Sequence, residues 1–306
     1  MAVKDNWSEY WQNEGAGGEV FVNQSGDKHK ALSAFWRAQF KDLGSENALI
    51  DLACGAGSVF SELNFPDSTE LHAADISEVA LKHLKQRMPN VKTHICSADK
   101  LPFASESYHV VVSQFGIEYA GQKAFMEAGR IVKKGGRLIL LCHYKDGYID
   151  SKNQLELAGA RLVSSTGFIK SALEVTCALF SNDVDQIEQR VAEFKKVEPK
   201  LAEYCKSHPN GVHAHLYTGY RQLMNKVKAY TEADIVEWLN AMDEEVEKSI
   251  VRLTEMTNAA LDSDQVVSLC QRLKDEHGFD VEIAEPFVLP EHSLPVAWQI
   301  RASKNS

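Results

Sequence analysis

From residue 48 onward, short apolar runs alternate with stretches of helical periodicity. Residues 48–52 (ALIDL) form an apolar run carrying Asp51, and the chain then opens into the glycine turn CGAGS at 54–58, after which a helical stretch is expected. A second run, LHAAD at 71–75, again ends in an acid. Ser77 suits the cap of the next helix, where Ala80, Leu81, Leu84 and Met88 recur every three or four residues until Pro89-Asn90 stops it. VKTHIC (91–96) reads as a buried strand, and YHVVVSQ (108–114) as another, rich in β-branched residues. Phe125, Ala128, Ile131 and Val132 mark a further helix, closed by the glycine-containing turn 133–136 before the strand RLILLCH (137–143). Four or five such alternations predict an α/β fold, a parallel sheet with helices on both faces.

The texture changes between 150 and 262, where no strand-like run occurs. One helical face reads Ile187, Val191, Phe194, Val197 or Glu198, and Leu201. A second reads Ile235, Leu239, Met242, Val246, Ile250 and Leu253, capped by Thr231 with Asp234 three residues on. Between them, HPNGVHAH (208–215) reads as a loop. After Asp262 a helix over 263–277 turns Val266, Leu269, Cys270 and Leu273 inward, and FDVEIAEPF and LPVAWQIRA read as two last strands. The expected organisation is an N-terminal helical segment (1–47), a sheet domain (48–149 with 263–306) and a helical insertion (150–262).

At 306 residues, 44% hydrophobic and 25% charged, the chain sits in the range of soluble globular proteins. Its apolar runs fall short of the roughly 18 residues of a membrane-spanning helix, and its first residues, MAVKDNWSEYWQ, lack the basic-then-apolar pattern of a secretory signal. A soluble, cytoplasmic protein is expected. The formal charge of −10 favours a small or cationic ligand over nucleic acid. Six cysteines without a C-x-x-C pair suggest reduced thiols and neither a zinc ribbon nor a redox dithiol.

The segment Asp51-Leu-Ala-Cys-Gly55-Ala-Gly57 carries the most chemistry. Its glycines let a ligand lie against bare backbone. Asp75, about 20 residues on at the end of the second run, can accept from both hydroxyls of a ribose. Asp99 can reach an adenine edge, or serve as a loop acid. Phe60 stands where a dinucleotide fingerprint needs glycine or alanine, which opposes a pyrophosphate ligand.

With IDLACGAGSVF (50–60), LHAADIS (71–77), SADKLPFASESYHVVVSQFGIEY (97–119), EAGRIVKKGGRLILLCH (127–143) and the paired final strands, the chain resembles class I S-adenosylmethionine-dependent methyltransferases, near the branch that includes quinone-biosynthesis C-methyltransferases. The resemblance covers roughly half the chain. It implies a Rossmann-like, seven-stranded, mostly parallel sheet with an antiparallel last strand, plus the all-helical insertion after the fifth strand. It implies S-adenosylmethionine as cofactor, S-adenosylhomocysteine as product, and in-line methyl transfer to an acceptor. By the same resemblance Asp51, Ala53, Gly55 and Gly57 line the methionine and ribose side, Asp75 holds the ribose, Ile76 packs on adenine, Asp99 and Lys100 flank its amine, and Ser113, Gln114 and Phe115 close the pocket. Tyr10, Trp11 and Phe21 fold over the cofactor or simply bury sheet and helix faces, and Gly15, Gly17 and Gly18 can form an entry loop or a leader.

The sulfonium is already activated, so the protein's work is to align reactants and exclude water, with a base where the acceptor must lose a proton. His143, Glu118 and Tyr119 follow strands and are the candidates, against readings as a strand-end cap and a packing aromatic. His213 and His215, with His208 nearby, lack a third carboxylate or thiolate at recognisable spacing, so no metal is expected. The insertion is a lid over a small-molecule acceptor or a dimerisation device, leaving monomer and homodimer both open. Alternatives are a methyltransferase acting on RNA or protein, a nicotinamide-dependent oxidoreductase, and a non-catalytic cofactor-binding module.

Overall fold

The computed structural model describes residues 10–12, 21, 29–41, 47–61, 63 and 65–306. Much of the expected N-terminal segment, including Gly15, Gly17 and Gly18, lies outside the described residues. The chain divides into two compact units, Met1–Asp150 with Ala259–Ser306, and Ser151–Asn258.

The first unit is built on a sheet of β1 (Ala48–Leu52), β2 (Glu70–Asp75), β3 (Lys92–Ile95), β4 (Tyr108–Gln114), β5 (Val132–His143), β6 (Phe279–Phe287) and β7 (Ala297–Lys304). The spatial order is β3-β2-β1-β4-β5-β7-β6. β1 to β5 pair in parallel, and β7 runs antiparallel to both β5 and β6. From β1 the chain builds outward to β3, then returns to β4 on the other side. This reversal opens a crevice at the carboxyl ends of β1 and β4, where α/β sheets bind ligands.

Alternate residues of the central strands feed two cores. Ile50, Leu52, Val111, Leu138, Leu140 and Cys142 pack on one face with Phe125, Ala128 and Ile131. Leu49, Val110, Val112, Ile139 and Leu141 pack on the other with Leu32, Phe35, Trp36 and Phe40. Those helical residues belong to α1 (Lys30–Phe40) and α3 (Gln122–Ile131), while α2 (Glu78–Arg87) packs Leu81 and Leu84 near Ala73. Burial on both faces explains why these strands read as unbroken apolar runs.

Three local readings of the sequence differ from the structure. The segment 91–96 is not a buried strand: β3 is the sheet edge, paired to β2, and its Ile95 is 55% exposed. After the expected glycine turn, residues 59–61 continue as turns and do not begin a regular helix. The strand at 137–143 begins earlier, because Val132 already pairs with Tyr108; Arg137 next pairs with Val110, and the intervening residues bulge out around Gly135 (φ 71°).

The second unit is helical: α4 (Tyr148–Thr166) leads into it, followed by α5 (Phe168–Ser181), α6 (Val184–Ser207), α7 (Val212–Asn225) and α8 (Glu232–Ala259). Gly167 and Asn182, both left-handed, end α4 and α5. The core gathers Ile235, Leu239, Met242 and Val246 of α8 around Leu201, Leu216, Phe168 and Tyr220. The α8 cap is reciprocal, with the Asp234 amide donating to Thr231 Oγ1 (3.2 Å) and the Thr231 amide to Asp234 Oδ2 (2.8 Å). The expected loop 208–215 is shorter, since α7 begins at Val212. His213 is buried beside Gly159 with Nε2 on the His208 carbonyl (2.9 Å), whereas His215 is exposed, so the two rings diverge. Among the described residues no single helix is long and apolar enough to cross a membrane. The chain returns to the sheet through α9 (Ser263–His277), which buries Val266, Leu269 and Leu273, with Cys270 only partly covered.

Candidate functional site

The site begins at the turn after β1. Ala53, Gly55 and Gly57 all have positive φ (50°, 52° and 89°), which glycine accepts readily and alanine rarely. A Cβ on Gly55 would lie 2.4 Å from the indole of Trp11, and one on Gly57 2.8 Å from Leu84. The bare turn is thus fixed from outside by Trp11 and from below by α2. Asp75, at the end of β2, accepts from the amides of Gly55 (Oδ2, 2.8 Å) and Ser77 (Oδ1, 2.8 Å). One carboxylate therefore ties the glycine turn to the start of α2. Burial pushes the Asp75 carboxyl above its usual range, opposed by these amides. Burial, and then the charges of Asp75 and Asp51, push the neighbouring Cys54 thiol well up, so it stays protonated and is not a nucleophile.

A cavity of about 310 Å³ opens over this turn. Of the residues expected to hold a cofactor, it is lined by Ala53, Gly55, Asp75, Ile76, Asp99, Gln114, Phe115, Trp11 and Phe21. Asp51, Gly57, Lys100, Ser113 and Tyr10 are not among its walls. Asp51 is buried, 1% exposed, in β1. Gly57 shapes the turn against Leu84. Lys100 is exposed. Ser113 is a clamp, donating to the Leu52 carbonyl (2.7 Å) and accepting from the Ile117 amide (3.2 Å). Tyr10 stands edge-on to Trp11 at 5.3 Å. Phe60 does not crowd the cavity either: it is buried with Phe40 and Phe65 under the sheet, so its bulk serves packing.

The walls include residues that motif reading did not single out: Ser58, Ser97, Leu101 and Gly116. Ser58 accepts from Gln114 Nε2 (3.2 Å), and Gln114 in turn accepts from Trp36 Nε1 (2.6 Å). The 97–103 loop is held by α3, where Glu127 accepts from the Leu101 amide (3.0 Å) and Arg130 donates to the Phe103 carbonyl (2.8 Å) and to Glu127 (2.8 Å). The Arg130 hydrogen bond holds the Glu127 carboxyl below its usual range. These supports come from α3, far along the chain, so no local signal marks them.

At the far end of the cavity stands His143, the last residue of β5, 4% exposed. Its Nδ1 lies 2.7 Å from Glu118 Oε1, and its own amide donates to the same oxygen at 2.8 Å. Glu118 sits on a short 3-10 turn, Ile117–Ala120, with its side chain fully buried and Oε2 without a hydrogen-bond partner. A carboxylate so placed accepts a hydrogen bond from Nδ1–H, which selects the tautomer whose Nε2 carries the free lone pair. Tyr119 lines the cavity at 5.7 Å from the imidazole, and Phe115 lies at 4.8 Å. Thus β4 and β5, neighbours in the sheet, bring together residues 25 positions apart.

Residues 49–136 match the family described as a methyltransferase domain. A ubiquinone/menaquinone biosynthesis C-methyltransferase of Rickettsia massiliae is 28% identical over 166 residues, covering 46% of this chain and 66% of the relative. A demethylmenaquinone methyltransferase of Chlorobaculum parvum is 30% identical over 93 residues, 30% of this chain and 39% of the relative. The chain thus spans just under two thirds of the Rickettsia protein and well under half of the other. Among solved structures, the geranyl diphosphate C-methyltransferase of Streptomyces coelicolor A3(2) aligns at 17% identity and a TM-score of 0.36, over 47% of this chain and 66% of that one. The matched segment holds the glycine turn, Asp75, Asp99 and Glu118, and the sheet has the seven mostly parallel strands with an antiparallel last strand that the resemblance implied. The sheet domain of this chain is thus similar to class I S-adenosylmethionine-dependent methyltransferase domains, those of quinone biosynthesis among them.

Proposed function

We propose that this protein transfers a methyl group from S-adenosylmethionine to a small, flat, proton-bearing acceptor, with His143 as the base. The observation that carries the reading is one cavity lined both by the Gly55 turn with Asp75 and by His143, whose Nδ1 is held by the buried Glu118.

The residues fit the cofactor by their own chemistry. Side chains are excluded at Gly55, Asp75 offers ribose hydroxyls a carboxylate already fixed by two amides, and Asp99 stands where an adenine amine can donate. Bound there, S-adenosylmethionine supplies an activated methyl group. Trp11 and Phe21 wall the cavity with apolar surface that excludes water. His143 Nε2 takes the acceptor's proton, and the Glu118 carboxylate, out of water and 2.7 Å from Nδ1, balances the imidazolium that forms. Glu118 is therefore a positioning residue and His143 the catalytic one. Phe115 and Tyr119 beside the imidazole suit a planar unsaturated ring, in keeping with the quinone-type names of the relatives. The helical unit, spliced into the chain just after β5, is assigned the lid role in this proposal. All six cysteines are free thiols, which suits the reducing cytoplasm.

The test is calorimetry with S-adenosylmethionine and S-adenosylhomocysteine, followed by methyl-transfer assays on hydroquinones and phenols. Saturable heat with both ligands and methylation of a ring acceptor support the reading. No heat with either ligand sinks it.

A further inference from the structure

Away from the cavity floor, the fold gathers three metal-ligating side chains from opposite ends of the sequence. His29 precedes α1 as its N-cap residue, and Glu291 and His292 lie in the connection between β6 and β7. One donor atom from each lies within 4.8 Å of the others. His29 Nδ1 is 2.5 Å from Glu291 Oε1 across 262 positions of chain. His29 is 3% exposed, yet the Glu291 side chain is 47% exposed, so the cluster is shielded on one side and open on the other. The Nε2 atoms of His29 and His292 are both buried without a hydrogen-bond partner. A buried polar atom without a partner asks for an explanation; His29 faces Glu291 through Nδ1, so the orphan that bears on a ligand in this cluster is His292 Nε2.

We propose that His29, Glu291 and His292 form a binding site for a divalent transition-metal ion of the zinc class. Two imidazoles and one carboxylate are a donor set that such ions favour, and it leaves a fourth position for water. Bonds of about 2.0–2.2 Å to the ion place tetrahedral donors some 3.3 Å apart. The ion therefore replaces the 2.5 Å His29–Glu291 hydrogen bond, and the pair opens by less than about 1 Å.

Aromatic rings fix both imidazoles from outside. Phe21 stacks on His29 at 4.4 Å and Tyr148 on His292 at 3.6 Å. Because Phe21 also walls the cavity, the ion acts as a clip behind that wall, fastening the start of α1 to the β6–β7 connection. This inference stands apart from the methyl-transfer reading, since none of its three donors lines the cavity.

The experiment uses full-length protein stripped with chelator, titrated with Zn2+ by calorimetry and with Co2+ by visible absorption. Glu291→Gln and His292→Ala are made in the exposed connection, and His29→Ala is read only if circular dichroism shows it folded. The expected result is one equivalent of Zn2+, a Co2+ spectrum of low coordination number, and binding at least tenfold weaker in each variant. Zn2+ should also raise the Tm of the unaltered protein and not of the variants. If the unaltered protein binds neither ion, or binds no better than Glu291→Gln and His292→Ala, the cluster is a hydrogen-bonded clip only and the inference is overturned. S-adenosylhomocysteine titrations on the same samples keep that outcome distinct from failure of the cofactor reading.

Discussion

At the residue scale the proposed function divides the site into a cradle and a base, and different substitutions separate them. Gly55→Ala places a methyl 2.4 Å from the Trp11 ring at a φ of 52°. It should lower stability by about 1–2 kcal/mol and weaken S-adenosylhomocysteine binding, read by denaturant midpoint and calorimetry. His143→Ala should leave cofactor affinity intact and lower kcat by roughly 10²–10⁴. Glu118→Gln should lower kcat less, because the imidazole survives and loses only its countercharge. Equal losses of cofactor affinity in all three variants would contradict the division. In its proposed ribose role Asp75 sets a pH dependence. Its raised carboxyl must be ionised to accept from a ribose, so binding falls with decreasing pH, beginning at higher pH than an ordinary aspartate gives. Titrations from pH 7 downward, compared with Asp75→Asn, measure this, and a profile flat across that range in the unaltered protein would remove Asp75 from the ribose role. Asp75 was legible because it ends an apolar run 20 positions after Gly55. Ser58 and Gly116 were not, because small residues carry no periodic signal.

At the element scale, caps and supports decide where the walls stand. Ser77 caps α2 by accepting from the Ala80 amide (3.3 Å), and α2 presents Leu84 to the glycine turn. Ser77→Ala should therefore cost about 1 kcal/mol, seen as a lower denaturant midpoint at unchanged m value. The helices were legible from periodicity because each buries one regular face, and the central strands from unbroken apolar runs because both their faces are covered. The edge strand β3 was misread as buried because apolar residues in an extended run look alike whether one or two neighbours cover them. The turns at 59–61 were read as the start of a helix because Val59 and Phe60 are apolar for packing under the sheet, which spacing alone does not separate from a helical face.

At the scale of the whole molecule, two units carry separate cores, one on the two faces of the sheet and one around α8. Leu239→Ala, at a fully buried position of α8, should cost about 2–5 kcal/mol in the helical unit. S-adenosylhomocysteine should still bind the sheet unit with near-normal affinity below the first unfolding transition, and loss of binding at that temperature would show that the units do not act separately. The sequence by itself determined the order of strands and helices, the switch to an all-helical segment, and the cradle of Gly55 with Asp75, because these depend on local periodicity and on residues placed at strand ends. Only tertiary structure decided that Glu118 holds His143, that Glu127 and Arg130 hold the 97–103 loop, and that His29 meets Glu291 and His292. Those meetings depend on which strands become neighbours in the sheet and where connections cross its rim, and spacing along a chain does not encode distances between separate segments, whether 25 or 262 positions apart.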